Sequence, residues 1–336
     1  MYFADFHCDT ISVLYTQHNN SETLLHNRLQ VDAHRLSKTH YLLQHFAIFI
    51  DMQKYENPYE TALSMLDYYH GQLDLCHEFL VPVLCADDLE NAMKQEKTAA
   101  IATIEEGGIL DGDIQRLDIL YQKGVRLLTL TWNYENCIGA PNNLYYGKNV
   151  FPTEPNNMSG LTAFGKDVVA RCEELGIIVD VSHLSDAGFF DVYDMCTKPF
   201  VASHSNARSI CPHVRNMSDD MIKKLSEKGG LIGINFCPAF VESPFMNTSP
   251  TNPEMHWSPL GTIESMLHHI RHIYNTGGID CLAMGSDFDG IERKLELDDV
   301  SLMPMLWDAL KKDGFTESQI DAILFQNMLH FYREQL

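Results

Sequence analysis

Short apolar, β-branched runs recur along the chain, and between them lie longer stretches whose apolar positions return every three to four residues. The runs predict strands at 2–9, 44–51, 99–105, 125–132, 177–183, 199–204, 230–236 and 281–287. The longer stretches predict helices at 58–79, 113–123, 160–175, 185–196, 217–228 and 260–276. Ser218-Asp219-Asp220 supplies an N-cap and an acidic first turn for one of them. Thr316 with Gln319 reads as a capping box for a last helix, about 316–333. The interval 10–43 is the least regular.

Strands alternating with helices imply a parallel sheet. Eight such units with almost wholly apolar strands favour a closed (β/α)8 TIM barrel, read here as one α/β domain over residues 1–336. An open dinucleotide-binding sheet lacks support, because no Gly-x-Gly-x-x-Gly follows the first strand. Two connections, 133–159 and 237–259, are long and rich in Asn, Pro and aromatic residues. Both follow strands at the barrel face where active sites form, which predicts lids over a substrate.

Composition narrows the partners. The chain carries 24 Lys and Arg against 46 Asp and Glu, a net charge of −22, which argues against nucleic acid or an anionic membrane. No apolar run reaches the length of about 18 residues that a membrane span needs. The N-terminus lacks the features of a secretory signal, so a cytoplasmic location is expected. Nine cysteines, an odd and scattered set without a Cys-x-x-Cys pair, fit reduced thiols.

The polar residues at strand ends carry the chemistry. His7 and Asp9 end the first strand, and Glu105 and Glu106 the third. His183 and His204 end the fifth and sixth, and Asp287 ends the eighth. In a barrel these C-terminal ends meet at one mouth. Two imidazoles and a bridging carboxylate beside a His/Asp pair describe a binuclear site. A Glu reaching both ions would hold them roughly 3.5–4 Å apart with a hydroxide between. Mixed nitrogen and oxygen donors suit two divalent metal ions, Zn2+ above all, with Mn2+ or Co2+ as rivals. Asp287 is the expected proton shuttle.

Seven motifs extend the pattern in order. They are Asp5-Phe6-His7-Cys8-Asp9, Ile104-Glu105-Glu106-Gly107-Gly108, the run Gly124 to Thr131, Val179-Asp180-Val181-Ser182-His183, Ala202-Ser203-His204-Ser205-Asn206-Ala207, Arg215-Asn216 and Gly285-Ser286-Asp287-Phe288-Asp289-Gly290. With these the chain resembles the renal (membrane) dipeptidase family, peptidase family M19 of the amidohydrolase-like barrels, over nearly its whole length. The resemblance implies a zinc-dependent dipeptidase. His7 and Asp9 would bind one zinc, His183 and His204 the other, and Glu105 would bridge. Arg215 would grip the dipeptide carboxylate, and Asp287 would act at the scissile bond. Arg208 is read as structural.

Two departures from that pattern stand out. A second glutamate, Glu106, replaces a Gly; strand alternation sends the two side chains opposite ways, so one alone bridges, and Glu105 is favoured. Trp132 stands where the renal enzyme's pattern has a substrate-contacting His, leaving Trp132 and Asn133 as the substrate-binding residues expected there. His268, His269 and His272 mimic a helical metal motif, but the stripe Ile263, Leu267, Ile270 and Tyr274 predicts that these histidines lie on a solvated flank. Rival readings are a deaminase or cyclic-amide hydrolase on the same barrel, and a non-catalytic metal-binding homologue. The substrate is expected to be a dipeptide. The oligomeric state is open, with a homodimer as one expectation.

Overall fold

The computed structural model describes residues 1–17, 22–148, 150–243 and 259–336. Its strands are β1 (Phe3–Asp5), β2 (Tyr41–Phe49), β3 (Leu80–Pro82), β4 (Thr98–Glu105), β5 (Val125–Thr129), β6 (Ile178–Asp180), β7 (Ile232–Ile234) and β8 (Leu282–Met284). One parallel ladder runs β1-β2-β4-β5-β6, and a second pairs β7 with β8. β3 is an addition to the expected set and pairs with the first half of β4, while β5 pairs with its second half.

The predicted strand at 199–204 forms no ladder. It makes single parallel bridges, Asp180 to Val201 and Ala202 to Ile232, with Ser205 N donating to Gly233 O at 2.7 Å. On the other side, Phe6 N donates to Met284 O (2.9 Å) and Asp9 N to Phe288 O (2.8 Å). β8 is thereby joined to β1, and the ring of eight closes. Tight packing explains the glycines of this quarter. A Cβ on either Gly233 or Gly285 would lie 1.9 Å from Ser203 O, so only Gly lets these backbones approach.

Apolar side chains form two layers. Ala4, Phe6, Leu43, Ile101, Leu127 and Ile178 belong to an inner cluster, and the C-terminal helix Asn327–Gln335 seals it with Met328 and Tyr332. Residues of opposite parity, among them Phe46, Ile48 and Ile104, pack in the outer cluster together with residues of the surrounding helices. Phe6 lies in the inner cluster but Cys8 in the outer one. The chain therefore slips one position between them, and His7 and Asp9 turn inward.

The helical prediction holds for the longer helices, including Pro58–Leu75, Ala163–Leu175 and Ile263–Gly277. The shorter predicted helices form as well, as Gln115–Gln122, Asp186–Met195 and Asp219–Glu227, whereas Thr10–Gln17 and Ala33–Lys38, in the irregular interval 10–43, and Ala86–Lys94 and Met303–Lys312 escaped the prediction. The last helix begins with the expected Thr316–Gln319 box, but a π-helical turn, Ala322–Gln326, interrupts it before Asn327.

The flank assigned to His269 needs correction. His269 is fully buried; its Nδ1 accepts from Ala207 N (3.1 Å) and its Nε2 pairs with Val241 O (3.2 Å). The buried stripe of that helix runs through Ile263, Met266, His269, Ile270 and Ile273, so a satisfied imidazole takes a core position. His272 instead pairs with Asp219 at 2.8 Å. Among the described residues no helix is long and apolar enough to cross a membrane. All nine cysteines are free thiols.

Candidate metal centre

Glu105 ends β4 facing inward, in register with Phe49 on one side and Thr129 on the other. Its Oε2 lies 3.2 Å from His7 Nε2, and its Oε1 lies 3.2 Å from His183 Nε2 and 3.8 Å from His204 Nε2. Asp9 Oδ2 approaches His7 Nε2 at 3.4 Å, and Asp287 Oδ1 approaches it at 3.8 Å. The donor atoms of His7, Glu105 and His204 lie within 4.8 Å of one another, as do those of His7, Asp9 and Asp287. Every one of these side chains is buried. The strand ends meet as the barrel reading required.

Left-handed backbone aims several of these groups. His183 (φ 70°), Asp287 (φ 64°) and Asp289 (φ 68°) hold conformations that L-residues adopt at a cost. Gly290 leaves room beside two of the carboxylates: a Cβ there would sit 2.1 Å from Asp9 Oδ2 and 2.7 Å from Asp287 Oδ1.

Partners behind the cluster set the imidazole tautomers. Asn133 Oδ1 accepts from His183 Nδ1 at 3.1 Å. Ser203 Oγ donates to Asp180 Oδ2 (2.6 Å), so it accepts from His204 Nδ1 (2.7 Å). Asp180 is in turn held by Thr129 Oγ1 (2.6 Å) and by the Ser182 and Ser203 amides (3.0 and 2.8 Å). Each histidine is left with an unprotonated Nε2 pointing into the cluster. Asn235 Nδ2 donates to Asp287 Oδ2 at 2.9 Å, leaving Oδ1 toward His7.

The electrostatics follow from burial and charge. Burial pushes Glu105 up to about 7 despite the attraction of His7, and it also raises Asp287. Burial opposes a charge on His7, yet Glu105 and Asp9 outweigh it and hold that imidazole well above its ordinary value. Burial and the positive surroundings of His7 and Arg215 hold His183 and His204 well below theirs.

The donor set fits divalent metal. The Nε2 atoms of His183 and His204 face each other at 3.0 Å, and as two lone pairs neither can donate to the other. Asp9 Oδ1 is buried without a hydrogen-bond partner, and the carboxylates of Glu105, Asp9 and Asp287 crowd around His7 Nε2 at 3.2, 3.4 and 3.8 Å. Buried lone pairs crowded together are costly unless a cation completes them. Imidazole nitrogens with carboxylate oxygens are the donors such an ion takes.

A cavity of about 850 Å³ opens over the cluster. Asp9, Glu105, His183 and Asp287 form its floor, and Phe49, Trp132, Asn133 and Tyr146 line it further out. Cys237, Pro238 and Phe240, from the start of the second long connection, also line it. Residues 244–258, most of that expected lid, lie outside the described residues. The connection 133–159 is tied down by asparagines: Asn136 Oδ1 accepts from Ile138 N (2.7 Å), and Asn142 Nδ2 donates to Asp186 Oδ1 (2.7 Å).

Two expected residues, Arg215 and Asn133, sit differently from the simplest expectation, while Glu106 takes the direction that strand alternation gave it. Arg215 is buried and does not line the large cavity; its Nη2 donates to His204 O (3.2 Å), while its Nε has no partner. Asn133 spends its carbonyl oxygen on His183 rather than offering it to a substrate. Glu106 turns away from the cluster, accepting from Gly108 N (2.7 Å), Trp132 N (3.1 Å) and Asn136 Nδ2. Arg208 grips Asp186 with two 2.7 Å bonds, as a structural residue should. Sequence reasoning missed the roles of Asp180, Ser203 and Asn235; a charged residue inside the apolar run 177–181 was the available signal for the first.

A parallel α/β barrel with a buried histidine–carboxylate cluster at its mouth has the build of a metal-dependent hydrolase. Residues 1–335 match the model of the membrane dipeptidase family, peptidase family M19, and the chain belongs to that family. This makes it a metallo-dipeptidase, a hydrolase acting on peptide bonds. It is 36% identical to an uncharacterized protein in the pqqA 5' region of Klebsiella pneumoniae, over 79% of this chain and 90% of that protein. It is 28% identical to dipeptidase tcpJ of Claviceps purpurea, over 86% of this chain and 65% of that protein. It is thus shorter than some relatives, spanning under two thirds of the fungal enzyme. In fold it superposes with a TM-score of 0.87 and 24% identity on a metallopeptidase from Rhodobacter sphaeroides that carries a phosphinate mimic of the dipeptide L-Ala-D-Ala. That match covers 100% of this chain and 99% of the other.

Proposed function

We propose that this chain hydrolyses dipeptides at a centre for two divalent metal ions, zinc foremost. The observation that carries the reading is the split reach of Glu105, with one oxygen 3.2 Å from His7 Nε2 and the other 3.2 Å from His183 Nε2. His7 and Asp9 would hold one ion and His183 and His204 the other, with Glu105 shared between them. Two ions held there would acidify a water and polarise the peptide carbonyl.

The protein's own groups do the rest. Asp287 Oδ1 takes the proton of the attacking water and returns it to the leaving amine. Asn235 holds the other oxygen of that carboxylate at 2.9 Å, so the accepting atom stays aimed at the cluster. Asn133 and Ser203 keep the Nε2 lone pairs of His183 and His204 available for metal. Arg215 lies near enough to Asp287 and Glu105 for their charges to act on it and is the cation we assign to the substrate carboxylate; its Nε is unpartnered but buried behind the cavity, so that role requires the guanidinium to turn toward the bound dipeptide. The cavity, about 850 Å³, has the volume of a small-molecule site.

The test is elemental analysis of bound metal together with turnover on a dipeptide panel. Two ions per chain with dipeptide cleavage is the expected result. Hydrolysis of another C–N bond without dipeptide cleavage would favour a deaminase or cyclic-amide hydrolase, and metal without any turnover a non-catalytic homologue.

A further inference from the structure

We propose that Glu106 and Trp132 form one specificity device: Glu106 is a positioning residue for Trp132, and Trp132 with Phe49 and Tyr146 builds the wall that selects dipeptides bearing a bulky, uncharged apolar side chain. The proposal rests on the dipeptidase reading and goes beyond it to a substrate class.

Glu106 is a buried glutamate in left-handed backbone, φ 97° and ψ 84°. A non-glycine residue holds that conformation only where its surroundings over-determine it. Here the carboxylate does so. Oε1 accepts from Gly108 N and Asn136 Nδ2, and Oε2 accepts from Trp132 N. None of these partners belongs to the metal cluster. Asn133, the next residue, is bound through its side chain to His183. The Trp132–Asn133 step is therefore pinned twice, through its first amide by Glu106 and through its second side chain by the cluster.

The indole then stands at the edge of the site, its ring centroid 6.3 Å from that of His183. Phe49 (4.8 Å) and Tyr146 (4.7 Å) pack against it at 60° and 65°, and all three line the cavity. Rings in mutual contact leave no slot between them to sandwich a cation, but they present a continuous apolar face. Charge in the cavity points the same way. Asp51 pairs with Lys54 (3.3 Å), Glu292 with Lys294 (2.9 Å), and Asp289 is held by Thr10 and Gln30. Among the described residues no uncommitted carboxylate stands beside the wall to neutralise a cationic side chain, and the lysines there, Lys54 and Lys294, are already paired with Asp51 and Glu292, which leaves no free cation for an anionic one. A neutral apolar side chain gains the wall without leaving a charge uncompensated.

The experiment compares kcat/KM on Ala-Ala with matched dipeptides carrying Leu, Phe, Lys or Glu, alongside bound metal per chain. Wild-type enzyme should favour the Leu and Phe substrates. Trp132→Ala should cut that preference about tenfold or more at unchanged metal content. Glu106→Gly, which removes the acceptor for Trp132 N, should reduce the same preference, whereas Glu106→Gln, which retains an acceptor oxygen, should keep most of it. An equal loss on all substrates in Trp132→Ala, or a wild-type preference for Lys or Glu dipeptides, overturns the proposal. Binding of non-hydrolysable phosphinate dipeptide mimics, small against bulky, separates the two readings. A chain that cleaves no dipeptide yet binds the bulky mimic more tightly loses the proposed function and keeps the wall. One that binds both mimics equally loses the wall. Should Trp132→Ala fail to fold, Trp132→Phe tests the same preference with a smaller ring and should weaken it.

Discussion

His183 and His204 present their Nε2 atoms to each other at 3.0 Å, each with its Nδ1 proton already committed, to Asn133 and to Ser203. Two neutral imidazoles oriented in this way repel unless something positive lies between them. The cost is accepted because partners distant in sequence hold the rings, and that rigidity suits the pair to the half of a metal centre proposed for it.

His204→Ala and Ser203→Ala separate ligand from support. The first should lower bound metal from two ions to one per chain and abolish most dipeptide turnover, with a far-UV spectrum like wild type. The second leaves the imidazole but frees its Nδ1, and should weaken metal affinity by about 10–100-fold, read by chelator competition. Equal metal affinity in Ser203→Ala and wild type would contradict the tautomer argument.

Asp287→Asn tests the proton shuttle. The variant should keep its metal and its KM while kcat falls by about 10²–10⁴-fold. Burial raises the Asp287 carboxyl above its ordinary value, and only its ionised form accepts a proton. Wild-type activity should therefore fall as acid protonates that carboxylate, and the acidic limb should be missing from the residual activity of the variant.

Arg215→Ala should raise KM for dipeptides with a free carboxylate and spare C-terminally amidated analogues. Because Arg215 also donates to His204 O, metal content must be measured in parallel. Equal effects on both substrate classes at full metal occupancy would assign Arg215 to support of His204 alone.

Acid should destabilise the fold through its buried neutral histidines. Burial lowers His45 and His269 to about 3. An unfolded chain binds protons at both below about 6.5, while the folded one does not until about 3. Their neutral burial costs nothing above that window, and stability is lost as pH falls through it, by about 1.4 kcal/mol per pH unit per histidine. His45 lies edge-on to Phe6 and Tyr332, with centroids at 5.0 and 5.1 Å. His45→Phe should remove its share and move the acid-unfolding midpoint to lower pH; a midpoint unchanged from wild type would refute this account.

Much of the candidate site is legible in the sequence, since strand-end polarity is a local signal. His7, Asp9, Glu105, His183, His204 and Asp287 each close an apolar run, and parallel strands carry such ends to one mouth whatever the helices do. All eight barrel positions were legible for the same reason, even though the sixth forms only single bridges. What stayed hidden depends on side-chain direction and on partners far away in sequence. No window of residues shows that His269 points inward to bond Ala207 and Val241. Nor does one show that Asp180 reaches across to Ser203 and thereby sets the proton of His204.

The sequence alone determined the class of fold and the donor types of the candidate site, because the period of apolar residues and the identity of strand-end donors are properties of neighbouring positions. The tertiary structure decided which glutamate faces the cluster, which nitrogen of each histidine is free, and that Arg215 lies behind the site rather than along the cavity. Those outcomes follow from left-handed backbone at Glu106, His183 and Asp287 and from hydrogen bonds that exist only once the barrel closes.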